Sequence, residues 1–459
     1  MLGRIFDRFV DKSPLSVMLR GVLERVFDPA TLDHLFEQTA DKQYQRELLF
    51  STVFELMVHV VCGIHPSVHA AYQSAIMHIG VSITAVYNKL NGLELEIPAA
   101  LVRHSSKEFV PVVQRLGALF PPLIEGYRSK VLDGNCLAAS ERRVEELRGL
   151  SAAALPGKSL VVFDPALQLV LDVLPCEDGH AQERSLLEDV LPMVEAGDVW
   201  IEDRNFCTVQ FLFGIAERDG YFIVREHSQI PWEAIGKKRP KGRVESGKVY
   251  EQQVRLTNKD GEELALRRIE IDLDEPTRDG ATRIYLLTNL PGHGSTGVST
   301  KQVATVYRKR WTIERAFREL TEDLRPEINT LGYPRAALFG FCIALVCYNM
   351  MSVMKAALRA VHGAQKVENE VSRYYIAKEI ERTYEGMMIA IPDKNWHVFS
   401  RMTTQRFVQV LVILARKVEL QRYKKHVRGP KKPPPKRKKY KNGAHVSTAR
   451  LIAARMPMS

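Results

Sequence analysis

The sequence has 459 residues, 45% of them hydrophobic and 26% charged, which fits an ordinary globular protein of roughly two to four domains. Its six cysteines form no CxxC pair and no zinc-like Cys/His framework, so a zinc finger is excluded and a reduced, cytosolic protein is favoured. The formal net charge is +11, and residues 422–441 alone hold 11 Lys and Arg and no acid. The excess charge therefore predicts a polyanionic partner at this segment.

Residues 1–125 are predicted to form a helical N-terminal region, because their apolar residues recur three or four positions apart. The stretch 80–94 resembles the reading helix of a helix-turn-helix, which makes the region a candidate for binding DNA ends, although helical packing explains the pattern equally well. His59 and His65 lie close together here but lack a carboxylate or cysteine companion, so a metal site is not favoured. The first residues carry scattered charges, and no signal peptide is expected.

Residues 126–220 change to short strands rich in Val, Leu and Ile, interrupted by helical stretches, which predicts an α/β core. Asp133 ends the strand KVLD, and Asp203 ends the strand VWIED. Either Asp alone could simply form a turn. Carboxylates at strand ends of an α/β sheet, however, face the crevice in which ligands bind.

Residues 221–291 read as a β-rich insertion with strand-like runs and no helix signal, long enough for a small sheet of its own. A basic loop within it contains the candidate DNA-binding residues Lys237, Lys238 and Arg239. Trp232 beside this loop could stack on an unpaired base, and packing in the small sheet is the alternative role.

Residues 292–330 are predicted to return to the core as a helix that opens with a capping box of Ser299 and Gln302. Tyr307, Arg310 and Glu314 follow at i, i+3 and i+7, so they share one face of this helix. Glu314 lies at the edge of the apolar stripe, which disfavours a fully solvated ion-pair role.

Asp133, Asp203 and Glu314 would repel one another if they met in one cleft, and hard divalent cations such as Mg²⁺ or Mn²⁺ would relieve that repulsion. Two such ions ~4 Å apart can activate a water or hydroxyl and stabilise the leaving oxygen in phosphodiester displacement. A basic segment for nucleic acid and an acidic metal site for its backbone would together make one enzyme.

Residues 331–421 are predicted to form a helical C-terminal region. Its run 336–354 approaches the length of a membrane span, but its polar residues and the lack of a similar run elsewhere favour a buried helix and no membrane. Residues 422–459 are predicted to be a basic flexible tail, because the 422–441 stretch is too polar and Pro-rich to bury.

With these motifs the chain resembles a DDE transposase of bacterial insertion sequences, of the insertion-sequence-four type. That family has a ribonuclease-H-like core, a β-rich insertion between its second Asp and its Glu, and a signature helix Tyr-x2-Arg-x3-Glu-x6-Lys. Tyr307, Arg310 and Glu314 match the signature in type and spacing, whereas Thr321 stands at the position of the Lys. The DG of LDGN and the DR of EDRNF match as well, so the resemblance covers about residues 127 to 325.

The resemblance implies an α/β fold with a ribonuclease-H-like mixed sheet flanked by helices, whose two parts at 126–220 and 292–330 enclose the insertion. It implies two Mg²⁺ (or Mn²⁺) ions, with Asp133 bridging both and Asp203 and Glu314 each completing one. Tyr307 and Arg310 would hold DNA phosphates. The missing Lys leaves one DNA contact open, for which the candidates are Lys301, Arg315, Arg318 and Arg325.

The function so implied is a transposase that binds the ends of an insertion sequence, cleaves the DNA and joins the 3′-hydroxyl ends to target DNA. Its partners would be double-stranded DNA and a second copy of the chain on that DNA, in the bacterial cytoplasm at the nucleoid. Two alternatives remain: a metal-dependent nuclease without strand transfer, and a catalytically inactive DNA-binding protein derived from a transposase.

Overall fold

A ten-stranded mixed sheet with helices on both faces organises the chain in the computed structural model, which describes residues 2–137, 144–148, 153–277, 280–310, 316–317, 324, 328, 331–426 and 445–455. The strands are β1 (Arg128–Leu137), β2 (Ala153–Leu155), β3 (Gly157–Asp164), β4 (Leu169–Cys176), β5 (Asp198–Glu202), β6 (Tyr221–Arg225), β7 (Trp232–Ala234), β8 (Arg239–Val244), β9 (Gly247–Thr257), β10 (Glu263–Leu273), β11 (Arg283–Thr288) and β12 (His445–Ser447).

Helices make up most of both ends of the chain. They are α1 (Asp7–Lys12), α2 (Pro14–Val26), α3 (Pro29–Thr39), α4 (Phe50–Val61), α5 (Val68–Ala75), α6 (Ile83–Gly92), α7 (Glu96–Leu116), α8 (Leu187–Val190), α9 (Val209–Ala216), α10 (Thr300–Arg308), α11 (Pro334–His362), α12 (Ala364–Glu370), α13 (Arg373–Ala390), α14 (Asp393–Ser400), α15 (Thr404–Lys417) and α16 (Thr448–Arg455). Short 3₁₀ turns lie at Glu183–Leu186, Arg204–Phe206 and Leu420–Tyr423.

The predicted ribonuclease-H-like mixed sheet is confirmed by five neighbouring strands. They run in the order β4-β3-β1-β5-β6, with β4, β3 and β1 antiparallel and β1, β5 and β6 parallel. The apolar residues of these strands explain the pairing, since β3 and β5 are buried along their whole length. This is the mixed arrangement expected of a ribonuclease-H-like core.

The β-rich segment differs from its prediction in one respect. Its strands do not form a separate sheet, because β6 is the fifth core strand and β11 pairs with it, so the order continues as β6-β11-β10-β9-β7 with β8 on β9. An unpaired edge strand exposes backbone hydrogen-bonding groups, and pairing of β11 with β6 satisfies them. The predicted start of the insertion at residue 221 is therefore too early, because residues 221–225 form a core strand. The strands after β6 lengthen the core sheet at its edge.

The two helical regions pack together around α11. This helix contacts α2, α4, α6 and α7 from the N-terminal region, α12 and α15 from the C-terminal region, and strands β3 and β4. It has the length and hydropathy of a membrane span, and 94% of its most apolar window is buried inside the protein. The prediction of a buried core helix is thus confirmed, and one continuous apolar core joins both helical regions to the sheet.

The C-terminal segment folds back onto the core. Tyr423 is buried, and β12 pairs in parallel with β2 in the connection between β1 and β3. Behind β12, α16 packs Leu451 and Ile452 against Val144 and Leu147. The prediction of a flexible tail over 422–459 is therefore wrong for residues 445–455, because their apolar side chains pack into a small core. The basic stretch before them gives no sequence signal for this packing. Residues 427–444 lie outside the described part of the chain.

Candidate active site

Asp133 and Asp203 lie side by side at one end of the core sheet. Strands β1 and β5 are parallel neighbours, and Val131 pairs with Ile201. Asp133 lies two residues after Val131, and Asp203 lies two residues after Ile201. Side chains two residues apart along a strand project from the same face. Val131 and Ile201 belong to the same apolar core, so both carboxylates emerge on that face, where each is partly buried.

Arg225 extends this row and was missed by the sequence interpretation. Ile201 of β5 pairs with Ile223 of β6, so Arg225 follows Ile223 as Asp203 follows Ile201. The row at the carboxyl ends of β1, β5 and β6 is thus Asp133, Asp203, Arg225. The apolar run YFIVR signals a strand that ends in a cation, but only the parallel register places that cation beside Asp203.

Helix α10 packs on the same face and brings Tyr307 to Asp203. Val303, Val306 and Tyr307 are buried in the core that also contains Val131 and Ile201. Burial raises the pKa of Tyr307 well above its usual value, the neighbouring Asp203 carboxylate raises it further, and Arg310 opposes this shift. The phenol therefore stays neutral and lies within electrostatic reach of Asp203.

Arg310 contacts the other carboxylate of the row. Its Nη1 lies 3.4 Å from Oδ2 of Asp133, and the two side chains are only 11% and 19% exposed. Asp133 Oδ1 also accepts a hydrogen bond of 3.0 Å from the backbone N–H of Gly134. The guanidinium thus offsets the charge of Asp133 in a partly buried position.

The predicted helix face of Tyr307, Arg310 and Glu314 can be followed only as far as Arg310. Helix α10 ends at Arg308, and Lys309 and Arg310 form a turn. Lys309 keeps right-handed angles (φ −78°, ψ −5°), but the N–H groups of Lys309 and Arg310 bond to the carbonyl oxygens three residues back, so the end of the helix tightens into a 3₁₀-type turn. Glu314 and Arg318 lie outside the described residues, as does Thr321.

The donor set suits a hard divalent cation as far as the structure describes it. Asp133 and Asp203 supply carboxylate oxygens on one face, and oxygen ligands are those that Mg²⁺ and Mn²⁺ prefer. Within the described ranges no group of three His, Cys, Asp or Glu side chains could hold a metal ion. A complete site would therefore need a further ligand, and Glu314 is the predicted one.

The basic loop of the insertion flanks α10. Strand β8, which follows the loop, contacts α10, and the Lys301 side chain lies against Gly242. Lys237 and Arg239 are exposed, whereas Lys238 forms an ion pair of 2.9 Å with Glu270. All three predicted DNA-binding cations are thus exposed beside the helix that carries Tyr307, and Lys238 alone of the three is engaged in an ion pair among the described residues.

Trp232 is held by contacts inside the insertion. Its Nε1 donates a hydrogen bond of 3.1 Å to Glu226, and the Arg268 guanidinium lies 4.6 Å from the ring centroid. Arg268 also pairs with Glu226 at 2.6 Å, so one face of the indole is covered. These contacts favour the packing role of Trp232 over stacking on a base.

Glu202, next to Asp203, points away from the site. It is fully buried on the opposite face of β5, beside Trp200. Among the described residues, neither of its carboxyl oxygens has a hydrogen-bond partner. Burial raises the pKa of Glu202 well above its ordinary value, so this acid is neutral in the folded protein.

Glu202→Gln is expected to flatten the pH dependence of stability. The unfolded chain ionises Glu202 above pH 4.5, whereas the fold keeps the proton, so wild-type stability falls as pH rises above that value. One such proton changes the free energy of unfolding by about 1.4 kcal/mol per pH unit. Urea unfolding at pH 5 and pH 7 measures the difference, with the exposed Glu188→Gln as control. Parallel wild-type and Glu202→Gln profiles would contradict a buried neutral acid.

Comparison with known proteins adds an independent observation. Residues 156–350 match the family model described as Transposase DDE domain. The candidate transposase y4zB of Sinorhizobium fredii is 25% identical over 202 residues, which are 43% of this chain and 52% of that protein. The chain thus spans about half the length of the curated relative it matches. A cryo-EM synaptic complex of piggyBac transposase with hairpin DNA covers 89% of this chain and 86% of its own, at 9% identity and a TM-score of 0.37.

The family match contains Asp203, Tyr307, Arg310 and Glu314 and begins after Asp133. The strand register described above is what connects Asp133 to the matched range. The match over residues 156–350 and the similarity to a curated transposase confirm that the chain resembles the DDE transposases of insertion sequences.

Proposed function

We propose that the protein is a DNA transposase that binds the ends of an insertion sequence, cleaves the DNA backbone and joins the 3′-hydroxyl ends to target DNA. The observation that carries the proposal is the row of Asp133 and Asp203 on one face of the core, with Tyr307 and Arg310 packed against it. A transposase DDE domain that spans most of this arrangement supports it.

Asp133, Asp203 and Glu314 would hold two divalent ions, Mg²⁺ or Mn²⁺. When bound, such ions supply charge stabilisation for the attacking and leaving oxygens of phosphodiester displacement. The chain itself supplies the rigid support. Asp133 lies within the β1–β3 pairing, and Asp203 directly follows the buried strand β5, so neither carboxylate depends on a mobile loop for its position.

Arg310, Tyr307 and Arg225 would bind and orient the DNA strand that is cut. A guanidinium binds phosphate oxygens through charge-assisted, often paired, hydrogen bonds. Because Arg310 already contacts Asp133, a phosphate held by Arg310 would lie next to the carboxylates. Tyr307 keeps its proton, so it can donate a hydrogen bond but cannot act as a base near neutral pH.

The partners proposed are double-stranded DNA, as element ends and as target, and a second copy of the chain assembled on that DNA. The exposed Lys237 and Arg239 beside α10 and the basic run at 422–441 supply positive charge for phosphate contacts. The proposed location is the bacterial cytoplasm, where the nucleoid provides both kinds of DNA.

The decisive experiment uses the full-length protein, a labelled duplex of the element end, a target plasmid and Mg²⁺ or Mn²⁺. We expect both nicking at the element end and joining to the plasmid. Nicking without joining would instead support the nuclease. Binding of the end duplex with neither activity, in either metal, would support the inactive DNA-binding protein, which the absence of the signature Lys at Thr321 favours.

Replacement of the four basic residues 436–439 by Gln is expected to weaken DNA binding, and the loss of affinity should be similar for every DNA sequence. Deleting the whole segment from residue 422 would also remove β12 and its pairing with β2, so the substitution is the cleaner test. Four lost phosphate contacts would reduce the slope of log affinity against log salt by up to about 3.6. Anisotropy titrations of end and random duplexes between 50 and 200 mM salt measure this slope, and an unchanged slope would contradict the role.

A further inference from the structure

A second cationic surface lies at the same end of the core sheet, outside the site described above. It consists of Arg184 in the turn Glu183–Leu186, Arg204 directly after Asp203, and His227 after β6. Arg184 and Arg204 are exposed, and Arg184 Nε donates a hydrogen bond of 3.0 Å to the backbone oxygen of Asn205. We call these three residues the Arg184 patch.

The three members of the patch lie close enough for their charges to interact. Partial burial lowers the pKa of His227, and the two guanidinium groups of Arg184 and Arg204 lower it further. His227 Nδ1 accepts a hydrogen bond of 3.2 Å from the backbone N–H of Gln229, which leaves its Nε2–H as a donor.

The acids beside the patch form no ion pair with it among the described residues. Glu226 is committed to Arg268 and Trp232. Glu183 accepts a hydrogen bond of 3.3 Å from Asn205 Nδ2. Arg184 and Arg204 form no ion pair with any residue that the structure describes, in contrast to the paired Lys238, Arg243 and Arg255 of the insertion. Two exposed, uncompensated guanidinium groups beside a catalytic carboxylate are a ready binding surface for phosphate.

The patch lies on the opposite side of the carboxylate row from Tyr307 and Arg310. Glu183 packs its carboxylate against Gly134, whose missing side chain would point away from the face on which Asp133 emerges. The turn Arg204–Phe206 sends Phe206 into the core on the α9 side of the sheet. The row of Asp133 and Asp203 is therefore flanked by cations on both sides, by Arg310 on the α10 face and by the Arg184 patch at the other.

We propose that the Arg184 patch holds the backbone of the target duplex, while Tyr307 and Arg310 hold the element end. This inference rests on the proposed function. In joining, the 3′-oxygen of the end forms a bond to a target phosphorus, the target 3′-oxygen leaves, and the proton lost by the attacking hydroxyl is taken up by the leaving oxygen. Attack and departure occur in line on opposite sides of the phosphorus, so the two DNA segments must converge on the carboxylates from different sides.

The test compares Arg184→Gln/Arg204→Gln with a control that loses two exposed arginines of the C-terminal helical region, Arg401→Gln/Arg406→Gln. Full-length protein is first saturated with a pre-cut end duplex, and a labelled random-sequence duplex is then titrated by fluorescence anisotropy. We expect the patch variant to bind the end duplex within about twofold of wild type and the second duplex about tenfold or more weakly. Its salt slope for the second duplex should fall by about 1.8. The control should match wild type.

Joining of the pre-cut end to a plasmid in Mg²⁺ should fall in parallel with affinity for the second duplex, while nicking of intact ends persists. Unchanged affinity for the second duplex would overturn the proposal. An equal loss for both duplexes would also overturn it, because the patch would then bind the element end. Wild-type protein that binds both duplexes but never joins them would instead contradict the proposed function. The anisotropy titrations would then still show whether the Arg184 patch binds the second duplex.

Discussion

Asp133→Asn and Asp203→Asn are each expected to abolish cleavage of the element end while leaving DNA binding nearly unchanged. Asn preserves the size of the side chain and one oxygen but removes the negative charge that a hard divalent cation requires. Loss of an outer-shell partner of a metal ligand costs about 10- to 100-fold in activity, so loss of a ligand itself should cost at least about 100-fold. Nicking of a labelled end duplex in Mg²⁺ and a mobility-shift titration of the same duplex measure the two effects.

The matched control is Asp189→Asn, which alters an exposed Asp on α8, on the other face of the sheet. It should leave both nicking and binding at the wild-type level. Because Asp133 also contacts Arg310, thermal unfolding of Asp133→Asn must be compared with wild type to separate loss of a ligand from loss of packing. Nicking retained within about tenfold of wild type in either variant would show that the residue is not a metal ligand.

The sequence pointed to Asp133 and Asp203, whose role as metal ligands stays a prediction, because a carboxylate that follows an apolar strand is a local pattern. It could not select Arg225, whose position beside Asp203 depends on the parallel register of β5 and β6. Glu202, one residue before Asp203, is buried in the core because successive side chains of a strand point to opposite faces.

Long-range pairing explains the remaining differences. The insertion was expected to form its own sheet, because strand signals say nothing about which edge a strand will join. The pairing of β12 with β2 also joins strands that are far apart in the sequence. The basic stretch before β12 gave no indication that a strand follows it. The end of α10 at Arg308 was missed for a local reason: the apolar stripe continues past it, and no Gly or Pro marks the turn at Lys309.

Arg267→Met is expected to cause the largest loss of stability among single substitutions in the insertion. Arg267 of β10 is 6% exposed and lies 2.7 Å from Glu251 of β9, which is 8% exposed. It also donates to the backbone oxygens of Val298 at 2.8 Å and Leu290 at 3.2 Å. Removal of one member of a buried ion pair costs about 3–5 kcal/mol, and the lower end applies here because Glu251 keeps a longer contact of 3.6 Å with Lys241.

The effect should extend to α10, because the same carboxylate holds the start of that helix. Thr300 Oγ1 donates a hydrogen bond of 2.5 Å to Glu251 Oε2. Although burial alone would raise it, hydrogen bonds from Thr300 and Arg267 hold the pKa of Glu251 below its ordinary value. We therefore expect faster hydrogen exchange at residues 300–308 in Arg267→Met, together with a lower midpoint of urea unfolding. If α10 exchanged its amide hydrogens in Arg267→Met at the wild-type rate, Arg267 would not stabilise this helix.

Glu251→Met/Arg267→Met is the control that separates an unpaired charge from lost packing. Replacing both partners of a buried ion pair by apolar side chains is often nearly neutral, so the double variant should be more stable than Arg267→Met alone. Recovery should be incomplete, since Val298 and Leu290 each keep a backbone oxygen without its Arg267 donor, at a cost of about 1–3 kcal/mol per group. A double variant less stable than the single one would show that apolar packing at this position dominates.

The contacts of Glu251 and Arg267 with the start of α10 also affect the expected result of deleting the insertion. A separate small sheet could be deleted with little effect on the core, but β9 and β10 hold the first turn of α10 through Glu251 and Arg267. Helix α10 in turn carries Tyr307 and leads into Arg310, which contacts Asp133. Deletion of the insertion should therefore impair nicking as well as later steps, and Arg267→Met should reproduce part of that loss at temperatures at which its core remains folded. Normal nicking by folded Arg267→Met would show that α10 keeps its place over the carboxylates without this brace.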